Sequence, residues 1–254
     1  MRPWLAIVCG AILIVLALII SAPASLLEGR LAKISGGRAQ ISSASGTLWQ
    51  GAGELVLDDG VRRRVAWRLD PWAALRGEVR GTLSGDGAAP GARFALGRDR
   101  VELDGVSLAM PVAALLRAAG VSSLLATAGG DVSIRIDRLV RDTDALDVQL
   151  ALQWSDASVA APGIVPRMAL GDIQAELSGR GAEVSGPITN RGGEVELSGK
   201  ATASASGSTR LEADIRPRPG IDKAHSDAIA KALAAVGVPD GQGGYRVVWS
   251  GRTR

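Results

Sequence analysis

The sequence predicts a mainly β protein: a long, curved and twisted antiparallel sheet with a few short helices, plus one N-terminal transmembrane helix. Three observations predict it. Apolar side chains recur at every second residue over most of the chain, which is the period of a strand with one dry and one wet face. The 33 glycines and 11 prolines among 254 residues supply frequent turns. Aromatic content of 3% suits a thin layer better than a thick sandwich. Buried parallel strands would show continuous apolar runs, so the clean alternation indicates antiparallel pairing.

Residues 1–24 read as a membrane anchor. Trp4 to Ile20 carries no charge, and Ser21-Ala22 extends the run. That is near the lower limit for a helix crossing a bilayer, roughly 17–25 residues. Arg2 and the amino terminus precede it, so the N-terminus is expected to stay cytoplasmic while the bulk of the chain is exported. A cleaved signal peptide is the competing reading, because Ala22-Pro23-Ala24 resembles a small-x-small cleavage site. Against it, the apolar run exceeds the usual core of roughly 7–15 residues, and Pro23 hinders processing. Residues 25–37 read as a juxtamembrane helix or linker. Leu26, Leu27, Leu31 and Ile34 lie on one side, with Glu28, Arg30 and Lys33 opposite. Such a segment is either a solvated spacer or a helix lying against headgroups.

Residues 38–254 read as a β-rich domain. Leu55-Val56-Leu57 and Val65 to Leu69 flank Asp58-Asp59-Gly60, a strong hairpin signal. Pro71 opens a helical turn to Arg76, and Gly77 closes it. Alternation resumes at Glu78–Ser84, Val101–Leu103 and Val132–Ile136. The cleanest run is Leu146, Val148, Leu150, Leu152 and Trp154. It continues through Ile173–Leu177, Val195–Leu197 and Leu211–Ile215, and ends at Tyr245–Trp249. Two helices interrupt, Pro111–Ala119 and Ile221–Val236; in the second, Ile221, His225, Ile229, Leu233 and Val236 share a face. Pro162-Gly163 and Pro166 mark a possible soft division near 157–166.

Little points to catalysis. The single histidine, His225, lies on the apolar side of a helix, and a catalytic base would need a positioned partner. The single cysteine, Cys9, lies in the apolar run, so no disulfide forms in the folded part. No nucleophile elbow, zinc-binding His pair or phosphate loop is present. Adjacent acids at Asp58-Asp59, and Asp142 with Asp144, fit turns. Net charge of +3 is a weak excess, which disfavours nucleic acid. Arg62-Arg63-Arg64 reads as a solvated hairpin shoulder, or as a contact for an acidic partner or anionic headgroups. Trp49, Trp67, Trp72, Trp154 and Trp249 read as core or sheet-face packing. We therefore expect no enzyme activity, no cofactor, no metal and no catalytic residues.

Two tryptophan motifs carry a resemblance. Gly46-Thr47-Leu48-Trp49, with Gly51 and Gly53, and then Trp67-x-Leu69-x-Pro71 followed by Gly77-x-Val79-x-Gly81, resemble the type II secretion system protein N family (general secretion pathway protein N). Trp154, the strand after Gly171, and the ending Gly244-Tyr245-x-Val247-x-Trp249-x-Gly251 extend the resemblance over nearly the full chain. It implies an inner-membrane accessory component of the apparatus that moves folded proteins from the periplasm across the outer membrane, with other secretion subunits as partners. The pattern is also similar to AsmA-like proteins, whose curled sheets form open grooves. On that alternative the chain handles lipid, with Leu146, Val148, Leu150, Leu152 and Trp154 lining a groove for acyl chains. Neither family implies a catalytic residue.

Overall fold

Alternating side chains and frequent glycine turns give the chain a meander, each strand folding back on the one before. The computed structural model describes residues 22–26, 28, 33, 36, 39–57, 62–85, 88–118, 127–161 and 165–252. The apolar run 4–20, Cys9, the turn at 58–60 and Pro162-Gly163 lie outside the described residues. Among those described, no helix is long and apolar enough to cross a membrane. The chain divides into two compact units, which meet in sequence between Arg98 and Asp99.

The first unit contains β1 (Ala39–Gly46), β2 (Gln50–Leu57), β3 (Arg62–Leu69), helix α1 (Pro71–Leu75), β4 (Val79–Gly85) and β5 (Ala88–Leu96). Each strand pairs antiparallel with the next. Trp67 stands opposite Gly51 on one side and Leu83 on the other, so the three share the dry face. Arg62, Arg64 and Arg68 point to the wet face and are exposed, as alternation requires. Asp70 caps α1, its carboxylate accepting from the Trp72 amide at 2.9 Å, and Pro71 occupies the first helical position. Gly77 follows in a left-handed conformation.

The second unit contains β6 (Val101–Pro111), helix α2 (Val112–Ala118), β7 (Thr127–Arg141), β8 (Leu146–Ala161), β9 (Val165–Gly181), β10 (Glu183–Arg191), β11 (Val195–Ser204), β12 (Ser208–Pro217), helix α3 (Lys223–Val236), β13 (Val238–Pro239) and β14 (Tyr245–Arg252). Strand order follows the chain from β6 to β12, then β14 and β13. The described residues of 157–166 belong to β8 and β9, where Ala161 pairs with Val165.

The long strands bend at bulges. Register slips between Gly129 and Asp131 in β7 and between Trp154 and Ala157 in β8. Gly130 there has φ of 98°, and a Cβ would overlap the Ser155 carbonyl. The sheet of this unit curls: β8 touches β10, and the Arg141 guanidinium Nε, at the end of β7, donates to the Ala205 carbonyl in the β11–β12 turn at 3.1 Å.

The curl creates two apolar cores. One gathers Met168, Leu170, Ile173 and Ala175 of β9, Ile188 of β10 and Val195 of β11 beneath Ile229 and Leu233 of α3. The other gathers Leu146 and Val148 of β8 with Val184 and Ala205. Helix α3 starts two residues later than the sequence pattern suggests, because the Asp222 side chain caps it, accepting from the amides of Ala224 and His225. Val236, expected on the buried face, is 59% exposed at the last residue of α3.

Candidate contact surface

The tryptophan motifs converge on one end of the first unit. The Thr47 amide donates to the Gln50 carbonyl at 2.8 Å, and the Gln50 amide donates to Thr47 Oγ1 at 3.1 Å, which closes the β1–β2 turn. The Trp67 indole Nε1 donates to the Leu48 carbonyl at 3.1 Å, fastening that turn to β3. The ring lies over Gly51, where a Cβ would stand 2.6 Å from Trp67 Cζ2 and 2.6 Å from the Ser45 carbonyl oxygen. The Leu69 amide donates to the Trp49 carbonyl at 2.6 Å. Pro71 then starts α1. Gly46, Thr47, Leu48, Trp49, Gly51, Trp67, Leu69 and Pro71 thus form one structural lock of turn, indole and helix start. None of these contacts is arranged to activate a nucleophile.

The five residues expected to line a groove are divided between the two cores. Leu146 and Val148 are buried in the second core, and Leu150 packs on it; Leu152 and Trp154 pack on the first. The Trp154 indole donates to the Gly129 carbonyl at 2.9 Å. At these positions the curl brings protein atoms onto the apolar side chains.

Exposed apolar groups lie elsewhere. Trp72 and Leu75 of α1 are 70% and 71% exposed, which corrects the expectation that Trp72 packs in a core or on a sheet face. The physical reason is the length of α1: among its five residues only Ala73 is buried, so the outer side faces solvent. Val79 and Leu96, paired across β4 and β5, are also exposed, as is Leu83. In the second unit Val248 and Trp249 are exposed on β14. Trp249 too departs from the packed tryptophan expected there.

Polar side chains mostly tie strands together. Asp147 on β8 accepts from Arg138 Nε of β7 at 3.0 Å and from Arg180 of β9. The Arg180 hydrogen bonds, with Arg138 added and burial opposing, hold the Asp147 carboxyl below the usual carboxylate range. Backbone amides of Gln242 and Gly244 lower Asp240 in the same way. His225 Nε2 stands 2.9 Å from Glu194 Oε1, close enough for an ion pair but poorly aligned as a hydrogen bond. Glu194 Oε2 accepts from the Ala169 amide at 2.7 Å, so this pair joins α3 to the β9 and β10–β11 region. Sequence reasoning missed Asn190. Its amide nitrogen donates to the carbonyls of Leu170 and Val195, and its oxygen accepts from the Leu197 amide. The only sequence signal is an Asn followed by Arg-Gly-Gly, which reads as a turn. Among the described residues, no three His, Cys, Asp or Glu side chains are grouped to hold a metal ion.

The family profile described as Type II secretion system (T2SS), protein N matches residues 37–248. The chain belongs to the type II secretion system protein N family. The protein N match begins two residues before β1 and ends within β14, so it spans both β units. A similar relative, the Type II secretion system protein N of Aeromonas hydrophila, is 24% identical over 246 residues, covering 92% of each chain. No solved structure matches.

Proposed function

We propose that the chain is a non-enzymatic accessory subunit of the type II secretion machine. The apolar run at the N-terminus anchors it in the inner membrane with a cytoplasmic N-terminus, and residues 38–254, against which Ala22 to Ala24 are held, stand in the periplasm, where they assemble with other secretion subunits. The chain thereby supports export of folded periplasmic proteins across the outer membrane. The family match across 37–248 carries this reading. The uncharged run from Trp4 to Ile20 supports the anchor. Surface chemistry supports contact with a partner. In the second unit β13 covers only Tyr245 and Arg246 of β14, which leaves the outer backbone edge of 247–251 without a paired strand among the described residues. Val248 and Trp249 are exposed beside that edge. An extended segment of another subunit can add there as a further strand.

The test is secretion. Cells lacking the chain should retain the secreted protein in the periplasm, and the full chain should restore export. The pair Val248→Lys and Trp249→Lys should restore export poorly while the protein stays folded and in the membrane fraction. Undiminished secretion from cells lacking the chain would overturn the proposal.

A second reading, lipid handling, draws support from the first unit. Val79, Leu83 and Leu96 are exposed on its dry face. Mass spectrometry of the gently extracted protein should then show co-purifying lipid, and Leu83→Asp should remove it.

A further inference from the structure

The chain fixes itself to the first unit as soon as it leaves the apolar run. The Leu48 amide donates to the Ala22 carbonyl at 2.7 Å, the Ala24 amide donates to the Gly46 carbonyl at 3.2 Å, and Pro23 forms a bridge with Thr47. Ala24 is buried there. Ala22 lies two positions after Ile20, the last large apolar residue before Pro23. Two residues span at most about 7 Å. The β1–β2 turn therefore stands within that length of chain from the end of the run.

That turn shares its end of the unit with α1. Strands β1 and β3 run toward it, β2 and β4 start from it, and β5 ends there. The Leu69–Trp49 bond and the Asp70 amide donating to the Arg80 carbonyl at 2.8 Å place the start of α1 beside the turn. Trp72 and Leu75, three residues apart, project from the outer side of α1. Val79 and Leu96 are exposed at the adjoining strand ends. Arg76, Arg80 and Arg98 are exposed around them, and Arg80 pairs with Glu78 at 3.4 Å.

We infer that the α1 end of the first unit rests on the bilayer surface, with Trp72 and Leu75 in the headgroup layer and Arg76, Arg80 and Arg98 facing anionic phosphates. The inference deepens the anchored reading and rests on it. Three observations select lipid as the occupant. The chain geometry holds this end beside the point where the apolar run stops. Indole and leucine side chains together suit the interface, where an apolar body meets water and headgroups. The surrounding cations complement anionic lipid.

The test uses the full chain reconstituted in phosphatidylethanolamine–phosphatidylglycerol vesicles that carry phosphatidylcholine brominated at shallow acyl positions. Bromine quenches a nearby indole. The emission component lost on Trp72→Phe should be blue-shifted and quenched in the unchanged protein. The double variant Leu75→Glu and Arg76→Glu keeps the indole, and should return that component to the unquenched emission of an indole in water. Flotation with the vesicles and circular dichroism should stay unchanged, because both positions are exposed. A chain that floats with the vesicles while its Trp72 component is red-shifted and unquenched would overturn this inference and leave the anchor standing. A chain that fails to float would overturn both.

Discussion

Ile229 is the most informative position for testing how the second unit is held together. It is fully buried, and it presses α3 onto β9, β10 and β11. Ile229→Ala removes three methyl or methylene groups. At about 0.8 kcal/mol each, the transfer loss alone is about 2.4 kcal/mol. The void left beneath the helix brings the expected total to ~2–5 kcal/mol. Alanine's better helix propensity offsets this by at most ~0.7 kcal/mol. Val236→Ala, seven residues on in the same helix, is the control. Val236 is 59% exposed, so the change should stay within about 0.5 kcal/mol. Urea-dependent amide exchange, read by mass spectrometry on peptides from β9, β10 and β11, measures both. Equal and small shifts for the two variants would show that α3 does not close this core, and the burial argument would fail.

Further outcomes follow from other contacts. Gly51→Ala should cost ~1–3 kcal/mol in thermal unfolding, because the new methyl group meets both the Trp67 ring and the Ser45 carbonyl. Trp67→Leu should not rescue it, since the backbone clash remains. Asn190→Leu should cost roughly 1–3 kcal/mol in urea unfolding by removing the side-chain partners of the Leu170 carbonyl and the Leu197 amide. Leu150→Asp should lower the thermal midpoint severely by bringing a charge against the second core, whereas Gln149→Leu on the wet face should cost little. Asp147 has a depressed pKa, so its contribution to stability is complete above the ordinary carboxylate range and is lost as pH falls through the folded value. Asp147→Asn should therefore flatten the acid limb of a stability–pH curve; an unchanged limb would remove Asp147 from the account.

Much of the fold was legible because a side-chain period of two is a local property. It placed Leu146 to Trp154, Ile173 to Leu177 and Leu211 to Ile215 on strands and fixed which residues face the dry side. Pro71 similarly marked the start of α1, whereas the apolar pattern put the start of α3 at Ile221, two residues before the helix that Asp222 caps. The tryptophan motifs were legible as motifs. Their structural meaning was not, because the Trp67–Leu48 bond and the close approach at Gly51 join residues far apart in sequence.

Taken alone, the sequence determined the strand period, the antiparallel pairing and the family to which the chain belongs. Only the tertiary structure decided which apolar residues are covered. Curl in the second unit closed Leu146 and Val148 into a core, while a one-turn helix in the first left Trp72 and Leu75 outside. The physical reason is that alternation sets the side of a strand on which a residue lies, whereas burial depends on what the sheet's curvature brings over that side.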